Sequence, residues 1–480
     1  MIKYALNSQQ MREIEKLALN SKSDAINLMA RAGTEVYNVM VERFKPCKVL
    51  IICGSGNNGG DGYVVANLLL KNNWDVKILQ VASPKTEQAK YYCQQFKGEI
   101  ISFKDVCKNL EEAELIVDAI FGIGLSKKVP NDIAKLIKQI NEKSKKCIAI
   151  DIPSGISATT GEILGDAIKA ELTVTFHSKK IGHLLMPGLV NSNEVVVTDI
   201  GLPKIKEQKG YIKVNNPNIW KGNIKYPGYL DNKYSRGCLA IIVGQMIGAA
   251  IFATHAARKS GCGIVKLFIK KSSNNMYALE PGIILIEYEN IHHLLELIEQ
   301  HKATAILYGP GELKSDTTQE NVINLLKLKK KIILDAGAIL ECTTLSDIID
   351  IGQDVLLTPH EGEFKKSFGD NNKLDKVTRV KNAIDQSKCT ILLKGIDTVI
   401  GDKDNNIVIQ ENGCPYLATA GTGDILAGMC GAFMSQGINS SMSAMIATWA
   451  LSEAAWKIGY GLIAEEIPKM IPKILSVNIS

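Results

Sequence analysis

Two glycine-rich turns lie far apart in this chain, and each carries a carboxylate where a phosphate or a proton could be handled. The first is G-S-G-N-N-G-G-D-G, from Gly54 to Gly62, after the apolar run Val49–Cys53. The second is A-G-T-G-D, from Ala420 to Asp424, opening the apolar segment Ile425–Met429. A turn that feeds a helix leaves backbone N–H groups unpaired at the positive end of the helix dipole, which favours anions. Two such turns in one polypeptide point to two active sites that handle related substrates.

In the second turn, Gly421 and Gly423 leave N–H groups free to hold a phosphate, and Asp424 is the only ionisable group. Phosphoryl transfer needs that pairing: a positive dipole for the equatorial oxygens and a carboxylate to take the acceptor's hydroxyl proton. A helix-capping carboxylate is the plainer account of Asp424; the flanking glycines favour the first. No Walker A lysine motif is present, which excludes a P-loop enzyme. Lys394 and Gly395, with Thr398, sit between two apolar runs, where the lysine can neutralise phosphate. Gly309–Gly311 (G-P-G) offers a tight backbone approach. Of the seven histidines, His360 in L-T-P-H-E-G-E-F is the functional candidate, whereas His292 and His293 read as surface helix.

Gly54, Gly56 and Gly59 satisfy G-x-G-x-x-G, yet two details argue against simple dinucleotide binding. Asp61 would oppose a bare pyrophosphate, and the second strand has Asp75 at its start and Gln80 near its end, with no terminal acid. Oxygen-bearing side chains instead recur after successive strands: Asn57, Asn58 and Asp61; Asp118 in D-A-I-F-G-I-G-L; Asp151 and Ser154 in D-I-P-S-G. The carboxyl ends of parallel strands face one crevice, so these groups can converge. Together they suit a hard cation. A helix cap or Asx-turn explains any one of them, but explains three successive turns less well.

The elements that must position these groups follow from periodicity. Residues from Ser8 to Phe44 read as helices. Strands are expected at Val49–Cys53, Val76–Val81, Leu115–Ile120, Cys147–Ile152, Leu172–Phe176 and Val195–Asp199, with helices at Tyr63–Lys71, Glu87–Phe96 and Asp132–Glu142. This alternation predicts a Rossmann-like, doubly wound α/β domain. Pro, Gly and Lys break the pattern between Gly201 and Tyr226, which sets the expected domains at residues 1–212 and 220–480. Strands then resume at Leu239–Val243, Ile264–Ile269, Ala305–Tyr308, Lys331–Asp335, Val355–Thr358, Thr390–Lys394 and Thr398–Gly401, and the tail from Ser441 reads as helical.

Composition narrows the class. With 46% hydrophobic and 22% charged residues, the chain reads as globular. The net charge of +6 lies on lysines mixed with acids, and no arginine stripe interleaves with aromatics, so no nucleic-acid partner is expected. The 11 cysteines form no C-x-x-C pair, and Cys53, Cys147 and Cys430 read as buried thiols. Neither a signal peptide nor a membrane span is apparent, so a cytoplasmic location is expected, with no membrane partner.

The first half resembles the NAD(P)H-hydrate epimerase family through M-R-E-I-E (Met11–Glu15), L-M-A-R-A-G (Leu28–Gly33), N-N-G-G-D, the Asp118 segment and D-I-P-S-G-I. The resemblance implies epimerisation at C6 of hydrated NADH or NADPH, whose nicotinamide ring carries a hydroxyl. It further implies that Asn57, Asn58, Gly59, Gly60 and Asp61 line the substrate, together with Gly122, Ile123, Gly124, Leu125, Ser126, Lys127, Lys128 and Asp151. Asn58, Asp118 and Ser154 would hold a potassium ion (K+), and Asp151 is the expected proton-transfer group.

The second half resembles the ribokinase-like α/β fold, and within it the ADP/ATP-dependent NAD(P)H-hydrate dehydratases. The matching segments are R-G-C-L-A-I-I-V-G, G-A-A, S-G-C-G-I-V, G-P-G, T-P-H-x-G-E, L-K-G-x-x-T and A-T-A-G-T-G-D-I-L-A-G. The implied reaction phosphorylates the ring hydroxyl of the S hydrate and then eliminates phosphate, with Mg2+ and ADP or ATP as co-substrate. Ala250, Gly311, His360 and Asp424 would contact the hydrate; Lys394, Gly395, Ile396, Asp397, Thr398 and Gly423 the nucleotide. The resemblance departs at two points. Gly337 stands where the family's D-A-D-A-L has its second Asp, and a histidine usual in the helix after G-T-G-D is missing from Trp449–Glu453. A bifunctional repair enzyme is the reading that joins the two halves, with a homo-oligomer left open. The alternative is a small-molecule kinase whose Rossmann-like N-terminal module regulates it or binds protein.

Overall fold

Two compact units meet in the chain at Ile212: Tyr4–Ile212, and Lys213–Ser480 with Met1–Lys3. The computed structural model describes all residues except 1, 20, 144–145, 225, 272–280, 340–352, 372 and 478–480.

The first unit is built on parallel strands β1 (Lys48–Cys53), β2 (Asp75–Gln80), β3 (Glu99–Ile101), β4 (Leu115–Ala119), β5 (Lys146–Ile150), β6 (Leu172–Phe176) and β7 (Glu194–Thr198). Their order is β3-β2-β1-β4-β5-β6-β7. All residues of β4 and β6, and all of β1 after Lys48, are buried, as in a sheet covered on both faces, which is why Val49–Cys53 and Leu115–Val117 read as continuous apolar runs. The strand order reverses between β1 and β4, which opens a crevice at their carboxyl ends.

Helix α1 (Ser8–Leu17) starts on an Asn7–Gln10 capping box, and α2 (Lys22–Arg43) on Ser21. Then come α3 (Asn57–Lys71), α4 (Glu87–Gln95) and α5 (Asn131–Glu142). Leu136, Ile137 and Ile140 of α5 pack on Leu50, Ile52 and Ile116 of the sheet, each buried side chain being worth about 1.5–3 kcal/mol. The expected strands and helices agree with these bounds to within a residue or two, with one clear correction. Helix α3 begins at Asn57, not Tyr63, so N-N-G-G-D forms its first turns. Glycine disfavours helix by about 1 kcal/mol, but here it permits contact. A Cβ at Gly59 would fall 2.0 Å from the Gly54 carbonyl oxygen.

In the second unit the strands are β8 (Ile212–Asn215), β9 (Cys238–Ile242), β10 (Ile264–Lys270), β11 (Ile284–Tyr288), β12 (Ala305–Tyr308), β13 (Lys331–Leu334), β14 (Val355–Leu357), β15 (Thr390–Leu393), β16 (Val399–Gly401) and β17 (Ile407–Gln410). From one side to the other they run β8-β17-β16-β15-β14-β13-β12-β9-β10-β11. Only β16 runs against its neighbours. Strands β8, β11 and β17 were not foreseen. Three of the five residues of β11 are exposed, so this strand lacks the apolar run of a central one.

The helices that matter here are α6 (Ile247–Lys259), α7 (Glu361–Phe368), α8 (Lys376–Ser387), α9 (Thr422–Ser435) and α10 (Ser440–Ile458). Every residue of α9 from Ile425 to Ser435 is buried, so this helix is the unit's central rod. The helical tail ends at Val477; residues 478–480 lie outside the described residues. The ten described cysteines are all free, with Cys53, Cys147 and Cys430 buried; Cys342 lies outside the described residues. Among the described residues, no helix is long and apolar enough to cross a membrane.

Candidate active sites

The crevice of the first unit collects side chains from the ends of four adjacent strands. Asn57, Asn58 and Asp61 follow β1, Asp118 ends β4, Asp151 follows β5 and Lys180 follows β6. Asp151 has φ +66°, a left-handed conformation uncommon for a residue with a side chain and often found at functional sites. Its Oδ1 accepts hydrogen bonds from Lys180 Nζ at 2.5 Å and Thr175 Oγ1 at 2.9 Å. Lys180 is almost wholly buried and also donates to Thr175 Oγ1 and the Phe176 carbonyl.

Charge in this crevice is unevenly held. Burial would raise the Asp151 carboxyl, but the Lys180 charge and hydrogen bond, with His183 and Thr175, hold it below its ordinary value. Its neighbours move the other way. Burial, then Asp151, pushes Glu15 up to about 7. Burial, then Asp151 and Glu15, pushes Asp61 well up. Burial and Lys180 push His183 down to about 3, so its ring is neutral. One carboxyl held below its ordinary value thus sits among carboxyl neighbours raised above theirs. Lys180, Glu15 and His183 were not singled out from sequence; for Lys180 and His183, the position just after a wholly buried strand was the available signal.

Asp118 and Ser154 form a second cluster. The Asp118 carboxylate is fully buried and accepts from Ser154 Oγ at 2.6 Å, Ser154 N at 2.7 Å and Ile120 N at 3.2 Å. Burial still pushes its carboxyl up to about 6 against those donors. Ser154 Oγ also accepts from Phe121 N at 2.8 Å. Asn58 faces the next residue: a Cβ at Gly122 would lie 3.2 Å from Asn58 Oδ1. Asn58 Nδ2 is buried with no hydrogen-bond partner. Of the remaining expected residues, Asn57 accepts from Gln88, Gly59 and Gly60 pack inside α3, and Ile123 and Leu125 lean on apolar clusters. Gly124, Ser126, Lys127 and Lys128 are exposed.

The second unit repeats the principle with different chemistry. Gly309–Gly311 follows β12, Asp335 follows β13, Thr358 and His360 follow β14, and Lys394 follows β15, four neighbouring strands. Asp335 Oδ1 accepts from Lys394 Nζ at 3.0 Å and Thr358 Oγ1 at 2.8 Å. The A-G-T-G-D turn lies over this pair. Gly421 has φ +89° and starts α9 without a side-chain cap, and a Cβ at Gly423 would lie 3.6 Å from Lys394 Nζ. Burial, then Asp335, pushes the Asp424 carboxyl up to about 6, and Lys394 only partly opposes them.

Beside the turn is a cavity of about 310 Å³. Lys394, Gly395, Ile396, Thr398 and Gly423 line it, with Leu417, Leu426 and Leu451 as apolar walls. Asp397 does not line it: the side chain is turned under the loop, 2.6 Å from Lys376 Nζ. Ala250 is buried in α6, and the Gly311 carbonyl accepts from Met246 N just before that helix. His360 is the N-cap of α7. Its Nδ1 accepts from Gly362 N and Glu363 N, and Nε2 lies 3.2 Å from Glu363 Oε1, so its visible task is structural.

Both departures from the family pattern have local explanations. A Cβ at Gly337 would fall 2.3 Å from the Glu312 carbonyl oxygen, so the missing Asp is replaced by a close backbone contact. In α10, Trp449 packs edge-on against Trp220, and Glu453 accepts from Asn412 Nδ2. Among the described residues, no group of three or more His, Cys, Asp or Glu could hold a metal ion.

Comparison with known proteins accords with this division. Residues 25–182 match the family described as YjeF-related protein N-terminus, and residues 239–473 match NAD(P)H-hydrate dehydratase. A bifunctional NAD(P)H-hydrate repair enzyme from Dictyoglomus turgidum is 30% identical, covering 97% of this chain and 97% of the relative. One from Archaeoglobus fulgidus is 31% identical, covering 93% of each. The ADP/ATP-dependent NAD(P)H-hydrate dehydratase from Bacillus subtilis, co-crystallised with ATP and Mg2+, superimposes with a TM-score of 0.50 at 23% identity. That match covers 55% of this chain and 98% of the other, and it speaks for a shared fold in the second unit. With both family models in tandem and relatives matched almost end to end, the chain belongs to the bifunctional NAD(P)H-hydrate repair enzymes.

Proposed function

We propose that residues 1–212 carry the epimerase and residues 220–480 the dehydratase of this bifunctional enzyme, with Asp151 and Asp424 as their respective bases. The observation that carries this assignment is the Asp151–Lys180 pair: a buried carboxylate held below its ordinary value by a buried lysine, on the carboxyl-end rim of a doubly wound sheet. In the hydrate, C6 bears a hydroxyl beside the ring nitrogen. Asp151 accepts the hydroxyl proton, the C6–N bond breaks with its electrons on nitrogen, and C6 becomes an aldehyde. Nitrogen adds back to the other face of the aldehyde, and the proton returns to the new hydroxyl. Lys180 keeps Asp151 ionised for the first step.

In the dehydratase, Asp424 accepts the hydroxyl proton as that oxygen attacks the terminal phosphorus of the nucleotide, releasing AMP from ADP or ADP from ATP. The ring nitrogen then expels phosphate from C6, and loss of a C5 proton restores the NAD(P)H double bond. Lys394 and the free N–H groups at the start of α9 offset phosphate charge. Mg2+ would enter on the nucleotide phosphates, in keeping with its preference for few protein ligands. Asn58, Asp118 and Ser154 fit a monovalent cation. The buried Asp118 carboxylate is bonded by the Ser154 hydroxyl and by backbone N–H groups, with no cationic side chain among these partners, and Asn58 Oδ1 faces Gly122 in the loop that follows the same strand. K+ there would supply positive charge near the substrate. The ten described cysteines, all free, support a reducing, cytoplasmic setting.

The test is to incubate the protein with mixed R and S hydrates plus ADP or ATP and follow NADH absorbance. Full recovery is expected. Recovery that stops at the S fraction overturns the epimerase assignment. A phosphorylated product that accumulates without NADH would favour the kinase alternative.

A further inference from the structure

Beneath the nucleotide loop lies a buried ion pair that the chemistry above does not use. Lys376, the first residue of α8, and Asp397, in the loop Lys394–Thr398, meet with Nζ and Oδ1 2.6 Å apart and side chains 8% and 9% exposed. The same ammonium donates to the Lys394 carbonyl at 3.3 Å. It therefore holds the loop at both ends. The loop closes over it through Thr398 Oγ1, which donates to the Gly395 carbonyl at 2.6 Å. Gly395 is the apex, and a Cβ there would fall 2.6 Å from Lys376 Nζ and 2.8 Å from Asp397 Oδ1. Glu361 of α7 lies 3.9 Å from Lys376 and is bonded by Arg379 of α8, which ties the pair to both helices.

A buried ion pair is a poor source of stability, because desolvating two charges offsets most of their attraction. A geometric role accounts better for it. The loop sends Gly395, Ile396 and Thr398 into the cavity and launches the Lys394 side chain toward Asp335 and the A-G-T-G-D turn. A shift of the loop would displace a cavity wall and the phosphate-neutralising ammonium together. We infer that Lys376 is a positioning residue for the nucleotide: through Asp397 and the Lys394 carbonyl it fixes the loop that receives ADP or ATP. This rests on the dehydratase site assigned above.

The experiment measures dehydratase kinetics on the S hydrate, together with nucleotide binding by calorimetry, in the full chain. Lys376→Met is expected to raise the KM and Kd for the nucleotide about tenfold or more, with kcat changed less than about threefold, the signature of lost ground-state binding. Lys376→Arg should recover most of that affinity. Because Lys376→Met takes the ammonium away from a buried Asp397, the double variant Lys376→Met/Asp397→Leu is made alongside; it removes both charges and is expected to fold yet keep the high KM. A double variant with wild-type KM and Kd overturns the inference, as does a folded Lys376→Met whose nucleotide affinity is unchanged. A wild-type chain without nucleotide-dependent dehydration would instead fail the underlying assignment.

Discussion

Asp151 and Asp424 are both carboxylates with a lysine nearby, and their acidities move in opposite directions. Lys180 is committed to Asp151 at 2.5 Å, with Thr175 completing the contact, so Asp151 stays ionised despite burial. Lys394 is committed elsewhere, to Asp335 at 3.0 Å. Asp424 therefore feels burial and the Asp335 charge more than the lysine, and its carboxyl rises to about 6. The difference teaches that a lysine in the neighbourhood does not define a base; the atom it bonds does. Such tuning also suits the tasks. In the proposed roles, the epimerase unit has a base already ionised before substrate binds, while the dehydratase unit holds its lysine on Asp335, beside the turn where it can meet phosphate.

The largest effect that could break this comparison is reciprocal loss. Asp424→Asn is expected to lower NADH recovery by about 10²–10⁴-fold while epimerisation of the hydrates continues, and Asp151→Asn the reverse. Chiral chromatography of the hydrates and NADH absorbance report the two activities separately. If either substitution removed both activities from a folded chain, the two bases would not be independent.

A smaller effect sharpens the comparison through pH. Asp424 is protonated below its raised value, so dehydratase kcat/KM should fall about tenfold per unit as pH drops below about 6. Asp151 lies below the ordinary carboxylate range, so it stays ionised through that window. Lys180→Met removes its counter-charge and leaves burial opposed only by the weaker effects of His183 and Thr175. The acid limb of epimerisation should then move upward, measured in a Glu15→Gln background so that the neighbouring carboxyl at about 7 does not contribute. An unmoved limb would show that Lys180 does not set the charge of Asp151. Since breaking a buried pair costs about 3–5 kcal/mol, the melting temperature is read in parallel.

The same contrast explains what could be read from sequence. Strands buried on both faces, such as β1 and β4, announce themselves as apolar runs, and the oxygen-rich turns after β1, β4 and β5 could be placed on one rim by topology alone. Edge strand β11 could not, because its exposed residues carry no burial pattern. Lys180 was illegible for a different reason. Nothing local distinguishes it from its exposed-looking neighbour Lys179; only the left-handed turn at Asp151 and the loop after β6 bring it inward. Asp397 shows the converse. The family resemblance implies a nucleotide contact at Asp397, yet Lys376, twenty-one positions earlier in sequence, draws its carboxylate under the loop. Spacing along one segment does not reveal which long-range charge claims a side chain.

The smallest effect concerns Gly337, where the family pattern would put a second acid into the dehydratase half. Gly337 lies in a short turn after Asp335, and Ala336 beside it has φ +45°. A Cβ at Gly337 would meet the Glu312 carbonyl oxygen at 2.3 Å and the Leu313 carbonyl carbon at 2.7 Å, backbone atoms that cannot swing aside as a side chain would. Gly337→Asp should therefore displace the Gly309–Gly311 approach and cost about 1–3 kcal/mol of stability, read as a lower melting temperature for the dehydratase unit. Gly337→Ala carries the same Cβ without the charge and should lose nearly as much. If the aspartate variant alone lost activity, the added charge would be acting on Lys394 and Asp424, and the argument from the close backbone contact would give way to an electrostatic one. Equal losses in both variants, with epimerisation untouched, would leave the acidity of Asp424 to Asp335 and Lys394.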